Sequence, residues 1–276
     1  MELFDSLRKN KPAVFGLIVI VILVVVAIFA DMISPYERGI RQNSKARLQP
    51  PCAEHIFGTD HFGRDVFTRV IHGARISLFI GTATTFISMF VALVLGSVAG
   101  FYGGIVDEAI MRAIDTVMCI PGMLLSLAVV AALGQGLGNL MVAIAVSSVP
   151  GFTRLIRSVV ISIAETDFIE AARASGTSEF MIIIRHVLPN SMGPLIVQST
   201  MSIARMILFA AGFSFIGLGV QPPAPEWGAM LADAREFLRR APYLMFFPGT
   251  SILLASLSFN LLGDGLRDAL DPKLKL

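Results

Sequence analysis

Six side chains in one polar stretch have the chemistry of metal ligands: Cys52, Glu54, His55, Asp60, His61 and His72. Imidazole, thiolate and carboxylate together suit a borderline divalent ion. No C-x-x-C or Cys/His spacing accompanies them, so no zinc site or disulfide framework follows, and the histidines of a polar loop are ordinarily just solvated. Arg205 stands out for a different reason, because it lies in the middle of an apolar stretch. A charge placed there faces a bundle interior, a water-filled path or a subunit interface, unless it lies close enough to one end to snorkel. The chain has no G-x-x-x-x-G-K-[ST] phosphate loop, no H-E-x-x-H and no G-x-S-x-G. Its four histidines, His186 being the last, have no nucleophile to pair with, so catalysis by this chain alone is not expected.

The elements that position these residues follow from composition. The chain has 276 residues, is 55% hydrophobic and 15% charged, and carries a formal net charge of +2. Soluble domains are about a quarter charged, so the surface polarity needed in water is missing. A mean hydropathy of +0.75 excludes a soluble enzyme, a disordered chain and a secreted disulfide scaffold, and the charge is too small to argue for nucleic acid. Residues 13–30 form an uncharged stretch long enough to cross a bilayer, which takes about 17–25 residues. It lacks the cleavage site of a signal peptide and is expected to be retained. Further apolar blocks at 76–100, 113–133, 140–161, 192–218 and 244–262 bring the expected number of spans to six, with both termini on one side. Positive charges divide almost evenly between the two sides, so they do not set the orientation. Small residues four apart at Gly96 and Gly100 invite close helix packing, and Pro121 and Pro150 mark kinks or span boundaries.

Between the fourth and fifth spans, Thr166 is placed to cap a short helix. Asp167 and Glu170 lie in its first turn and Gly176 is its natural stop. Phe168, Ile169 and Ala172 are expected on one side of it. Such a helix is either received by a groove in another protein or lies on the membrane surface.

The run Glu170-Ala171-Ala172, Gly176 and His186-Val187-Leu188-Pro189 resembles the EAA loop of the membrane subunits of ABC importers. Three more segments resemble the dipeptide, oligopeptide and nickel branch, and in particular its second permease subunit. They are Gly58-Thr59-Asp60 with Gly63-Arg64-Asp65-Val66, Ser214-Phe215-Ile216-Gly217-Leu218-Gly219 leading to Glu226-Trp227-Gly228, and Asn260 through Pro272. Four long motifs in the right order make chance resemblance untenable.

The resemblance implies an all-α membrane protein with six transmembrane helices and a cytoplasmic EAA coupling helix, the type I ABC importer permease fold. Residues 1–12 would be a cytoplasmic tail, 13–30 the first span, and 31–75 an extracytoplasmic loop. Residues 76–264 would be a five-helix core containing the coupling loop 165–189, and 265–276 a second cytoplasmic tail. It further implies a bacterial or archaeal cytoplasmic membrane location. The implied partners are a homologous second permease, two ATPases that use ATP-Mg, and an extracytoplasmic substrate-binding protein, with no cofactor bound by this chain. Coupling falls to Glu170, Ala171, Ala172, Gly176, His186, Leu188 and Pro189, and binding-protein docking to Asp60, Arg64, Asp65 and Trp227. Arg205 is assigned to the translocation path. Nickel is one cargo of the branch, which is what motivates His55, His61 and His72 as metal candidates. Cargo is left open between small peptides and nickel, free or chelated. An ion-coupled secondary transporter and a non-transporting scaffold are the competing readings, and the near absence of carboxylates within the spans counts against the first.

Overall fold

The computed structural model describes residues 7–270. The outermost parts of both expected tails, including Asp271 and Pro272 of the last motif, lie outside the described residues. Helix α1, Lys11–Ile28, starts at Asn10, whose side chain accepts from the Ala13 amide. Its 18 residues rise about 27 Å, close to the bilayer core of about 30 Å. Helix α2, Val66–Tyr102, has 37 residues and is about 55 Å long, so its first turns stand beyond the hydrocarbon. The helix therefore begins inside the segment read as loop, because Asp65 caps it: its carboxylate accepts from Thr68 N at 2.8 Å and Thr68 Oγ1 at 2.9 Å.

The stretch read as one span at 113–133 is two helices, α3 at Gly104–Met118 and α4 at Gly122–Leu133, bent by 83°. Pro121 explains the break, since it offers no amide and its ring clashes with the preceding turn. Pro150 causes no such boundary and lies inside α5, Leu137–Ala164. A short helix α6, Asp167–Ala174, follows. After a four-residue turn, Glu179–Ile182, and a π-helical turn, Ile183–Val187, comes α7, Leu188–Phe215. Helix α8, Trp227–Ala234, precedes the last span, α9, Tyr243–Leu270. Five helices among the described residues are long and apolar enough to span, and the bent pair α3/α4 makes up to six. Among the described residues the only β-type pairing is an isolated bridge between Thr59 and Asp65.

Small residues set the close approaches. A Cβ added at Gly96 would meet Ile156 Cβ at 2.8 Å, and one at Gly100 would meet Arg157 O at 2.8 Å, so α2 and α5 touch along the Gly96/Gly100 stripe. Helix α1 lies on α9, with Ala13 against Gly265 and Asn10 Nδ2 donating to Asp268 Oδ2 at 3.3 Å. Leu270 reaches Gly193 at the start of α7. The start of α1, the end of α9 and the α6 segment therefore share one end of the bundle, while residues 31–65 and 216–242 share the other.

Candidate functional site

At the first end, α6 is held by one apolar anchor. Ile169 is fully buried and packs with Phe101, Val160, Ile182 and Val187, drawn from the ends of three spans. Ala172, one turn on, is half-buried against the same cluster. Phe168 is 45% exposed and does not join them. At about 100° per residue Phe168 and Ile169 mark the two edges of an arc with Ala172 between them, and only the Ile169 edge is turned into the bundle. Thr166 occupies the N-cap position, but its hydroxyl donates back to Ile163 O rather than capping the helix. The stop is as the sequence suggests. Gly176 sits at φ +77° with its amide on Arg173 O, and Thr177 N donates to Ala172 O, a Schellman motif that needs a residue tolerant of left-handed backbone. Glu170, Ala171, Arg173 and Ala174 all face outward. Arg173 also lies over the Phe101 ring at 5.2 Å, tying α6 to the end of α2.

Of the downstream loop residues, Leu188 is packed against the core, His186 is half-buried and Pro189 is exposed. The π turn at Ile183–Val187 precedes Pro189, whose missing amide already disturbs the helical ladder. The coupling set therefore divides: Glu170, Ala171 and Gly176 present an outer surface, while Ala172 and Leu188 fix that surface to the bundle.

Midway along the bundle a cavity of about 410 Å³ opens at the α3/α4 break. Pro121 lies at the break, Ser147 and Ser148 come from α5, and Gln198, Arg205 and Phe209 from α7. Arg205 therefore faces this cavity. Two ion pairs connect its wall to the α6 end: Arg157 binds Asp107 and Arg154 binds Asp115, fastening α3 to the helix that runs into α6. Sequence inspection missed these pairs, because the Asp107 and Arg157 partners are 50 positions apart and neither carries a local signature.

The opposite end corrects two sets of expectations. Asp60, Arg64, Asp65 and Trp227 were assigned to docking, yet their exposures are 6, 2, 6 and 1%. Arg64 Nε binds Asp60 at 2.6 Å and its Nη2 reaches Asp233 at 3.3 Å. Asp60 also accepts the amides of Phe62 and Arg64, so the glycine-rich turn is built around it. Arg69 donates to Gly39 O and Pro223 O, and its Nε stands 3.7 Å from Asp60. Trp227 Nε1 donates to Val70 O at 2.9 Å. Glu226, which the motif contains but to which sequence inspection assigned no role, caps α8 through the amides of Gly228 and Ala229 and receives a hydrogen bond from Ser77 of α2. Its burial pushes the carboxyl pKa above the ordinary glutamate value, against those hydrogen bonds. Acid directly before an apolar helix start was the signal that could have revealed it. These residues close the end of the bundle and cannot themselves form a contact surface.

The metal candidates are likewise dispersed. His55 Nδ1 pairs with Asp65 at 2.8 Å, His72 Nε2 bonds Ser34 O, and His61 stacks on Phe237. Burial lowers the His61 pKa although Asp60 and Asp233 pull it upward. Among the described residues no group of three His, Cys, Asp or Glu side chains is placed to hold a metal ion.

Comparison with known proteins agrees with this architecture. Residues 2–51 match the N-terminal TM domain of oligopeptide transport permease C. The chain is 49% identical to the dipeptide transport system permease protein DppC of Alkalihalophilus pseudofirmus, covering 99% of this chain and 90% of that one. It is 45% identical to the di/tripeptide transport system permease protein DppC of Pseudomonas aeruginosa (99% and 92% covered), and 44% identical to the glutathione transport system permease protein GsiD of Escherichia coli (99% and 90%). An inward-facing structure of the MetNI methionine ABC transporter aligns with TM-score 0.60 at 18% identity, covering 74% of this chain and 97% of that chain. The fold is thus that of a type I ABC importer permease. With residues 92–276 matching the family model as well, the chain belongs to the binding-protein-dependent transport system inner membrane components.

Proposed function

We propose that this chain is the translocating permease subunit of an ATP-driven importer of short peptides. The observation that carries this reading is the outward face of α6, a short helix anchored by Ile169 and presenting Glu170, Ala171, Arg173 and Ala174 beside the Gly176 stop. Family membership displaces the secondary-transporter and scaffold readings. The named relatives handle dipeptides, di/tripeptides and glutathione, which favours peptide over nickel as cargo.

In this mechanism the chain pairs with a second permease, and two partner ATPases bind ATP-Mg and receive the α6 face. That end is cytoplasmic, so both termini are cytoplasmic too. A binding protein delivers peptide to the other end, where the exposed charges Arg235, Glu236, Arg239 and Arg240 offer a docking surface held in place by the buried cluster beneath. Closure of the ATPases displaces α6. The rigid α5 carries that displacement through Arg154 and Arg157 to α3, changing the shape of the cavity at the break.

The test is reconstitution of the complete complex in vesicles with binding protein on one side and ATP on the other. Labelled Ala-Phe should accumulate only when both are present. Accumulation driven by an ion gradient without ATP would contradict the proposal.

A further inference from the structure

Arg205 is exposed on the isolated chain, yet it lies too far along α7 to reach bulk water by snorkelling past a helix end. Ten residues separate it from the end of α7 at Phe215, about 15 Å of helix, farther than an arginine side chain extends. Its guanidinium donates to Ser202 Oγ at 2.7 Å, and among the described residues no carboxylate pairs with it. A cation at this depth is costly in lipid, and here it opens instead onto the cavity of about 410 Å³, within the size range of pockets that hold small ligands, about 300–1,000 Å³. Gln198 is two turns away on the same helix and lines the same wall. Its amide has no hydrogen-bond partner within the described residues. Ser147 and Ser148 donate to Ile144 O, and the Ser147 oxygen also accepts from Ser126 Oγ at 2.8 Å, so both hydroxyl protons are engaged within the bundle. The cavity thus combines one unneutralised cation with uncharged hydrogen-bonding groups and apolar walls.

We propose that this cavity is a transient binding site for the carboxylate of the cargo, with Arg205 as the group that takes it. The inference rests on the peptide-importer reading above. It adds that the permease itself, and not only its binding protein, reads a free carboxyl terminus. A charge-assisted contact of this kind is worth about a tenfold change or more when removed.

The experiment uses the complete complex in vesicles and compares Ala-Phe with its C-terminal amide, each at a concentration that saturates the binding protein. Arg205→Gln should lower the maximal uptake rate of Ala-Phe about tenfold, while its rate for the amide stays within about twofold of wild type. Arg205→Lys, which keeps the charge, should retain most of the Ala-Phe rate. Ser202→Ala, which removes only the intramolecular hydrogen bond, should leave both cargoes unaffected. Equal losses on acid and amide in Arg205→Gln, or a loss in Ser202→Ala as large as in Arg205→Gln, would overturn the assignment in favour of a structural role. Unchanged Ala-Phe uptake in Arg205→Gln would also overturn it. Failure of the wild-type complex to take up Ala-Phe at all would instead overturn the peptide reading on which it stands.

Discussion

The two ends of the bundle use charge in opposite ways. At the α6 end the motif carries Glu170 and Arg173 on the outside, and the one fully buried residue of that helix is apolar, Ile169. At the other end the motif charges Asp60, Arg64, Asp65, Arg69 and Glu226 are all at most 6% exposed and satisfied by one another, by backbone or by Ser77. Motifs equally rich in charge therefore serve different purposes. One end leaves its charges on the surface, and the other spends its chemistry holding two long connections together. The proposed mechanism needs both, because a lever would transmit motion only if the far end of the bundle did not yield.

This contrast can be broken most severely at Arg64. Arg64→Ala leaves Asp233 without its cation and Asp60 with only Arg69 at 3.7 Å, and loss of one partner of a buried pair costs about 3–5 kcal/mol. The expected outcome is low recovery of folded protein and a large drop in thermal midpoint in detergent. Near-wild-type stability would mean that this end is not held by its buried charges. Ile169→Ala should come next, at about 2–5 kcal/mol for a fully buried site. Its distinctive consequence is local: amide exchange should rise in residues 167–177 while α1 and α9 keep their protection.

Glu226 sharpens the comparison through pH. Its carboxyl pKa is raised in the folded protein, so the folded state holds a proton that the unfolded state releases first. The associated stability is fully present below the ordinary glutamate pKa of 4.5 and is lost as pH rises through the raised value. The thermal midpoint of wild type should therefore decline across that window, and Glu226→Gln should remove this component of the decline. An identical pH profile in the variant would show that the buried carboxyl does not titrate in that range.

The smallest effect on stability belongs to the exposed face. Glu170→Ala should change the thermal midpoint hardly at all, within about 0.5 kcal/mol, as surface substitutions do.

Local signals carried much of this architecture. The apolar blocks gave the spans, Gly176 the end of α6, and Gly96 with Gly100 the α2/α5 contact, because each depends on residues close together in the chain. What the residues did not disclose depends on distant partners. Arg64 and Asp233 are 169 positions apart, so a motif that reads as exposed loop is in fact core. Pro121 signalled a break, but not that the break would open beside Arg205, which comes from a different helix. Phe168 shares an i, i+4 stripe with Ala172, so helical period alone did not disclose that only the Ile169 edge of the stripe meets the bundle.

The most direct test of the account is the ratio of peptide taken up to ATP hydrolysed in vesicles carrying Ala171→Trp. Ala171 is exposed on α6, so the larger side chain fits the isolated chain and obstructs only what docks there. The account predicts unchanged membrane insertion and thermal stability, with the ratio falling about tenfold or more, the effect of losing about 1.4 kcal/mol of docking. A wild-type ratio in this variant would contradict the claim that the α6 face is where motion enters the permease.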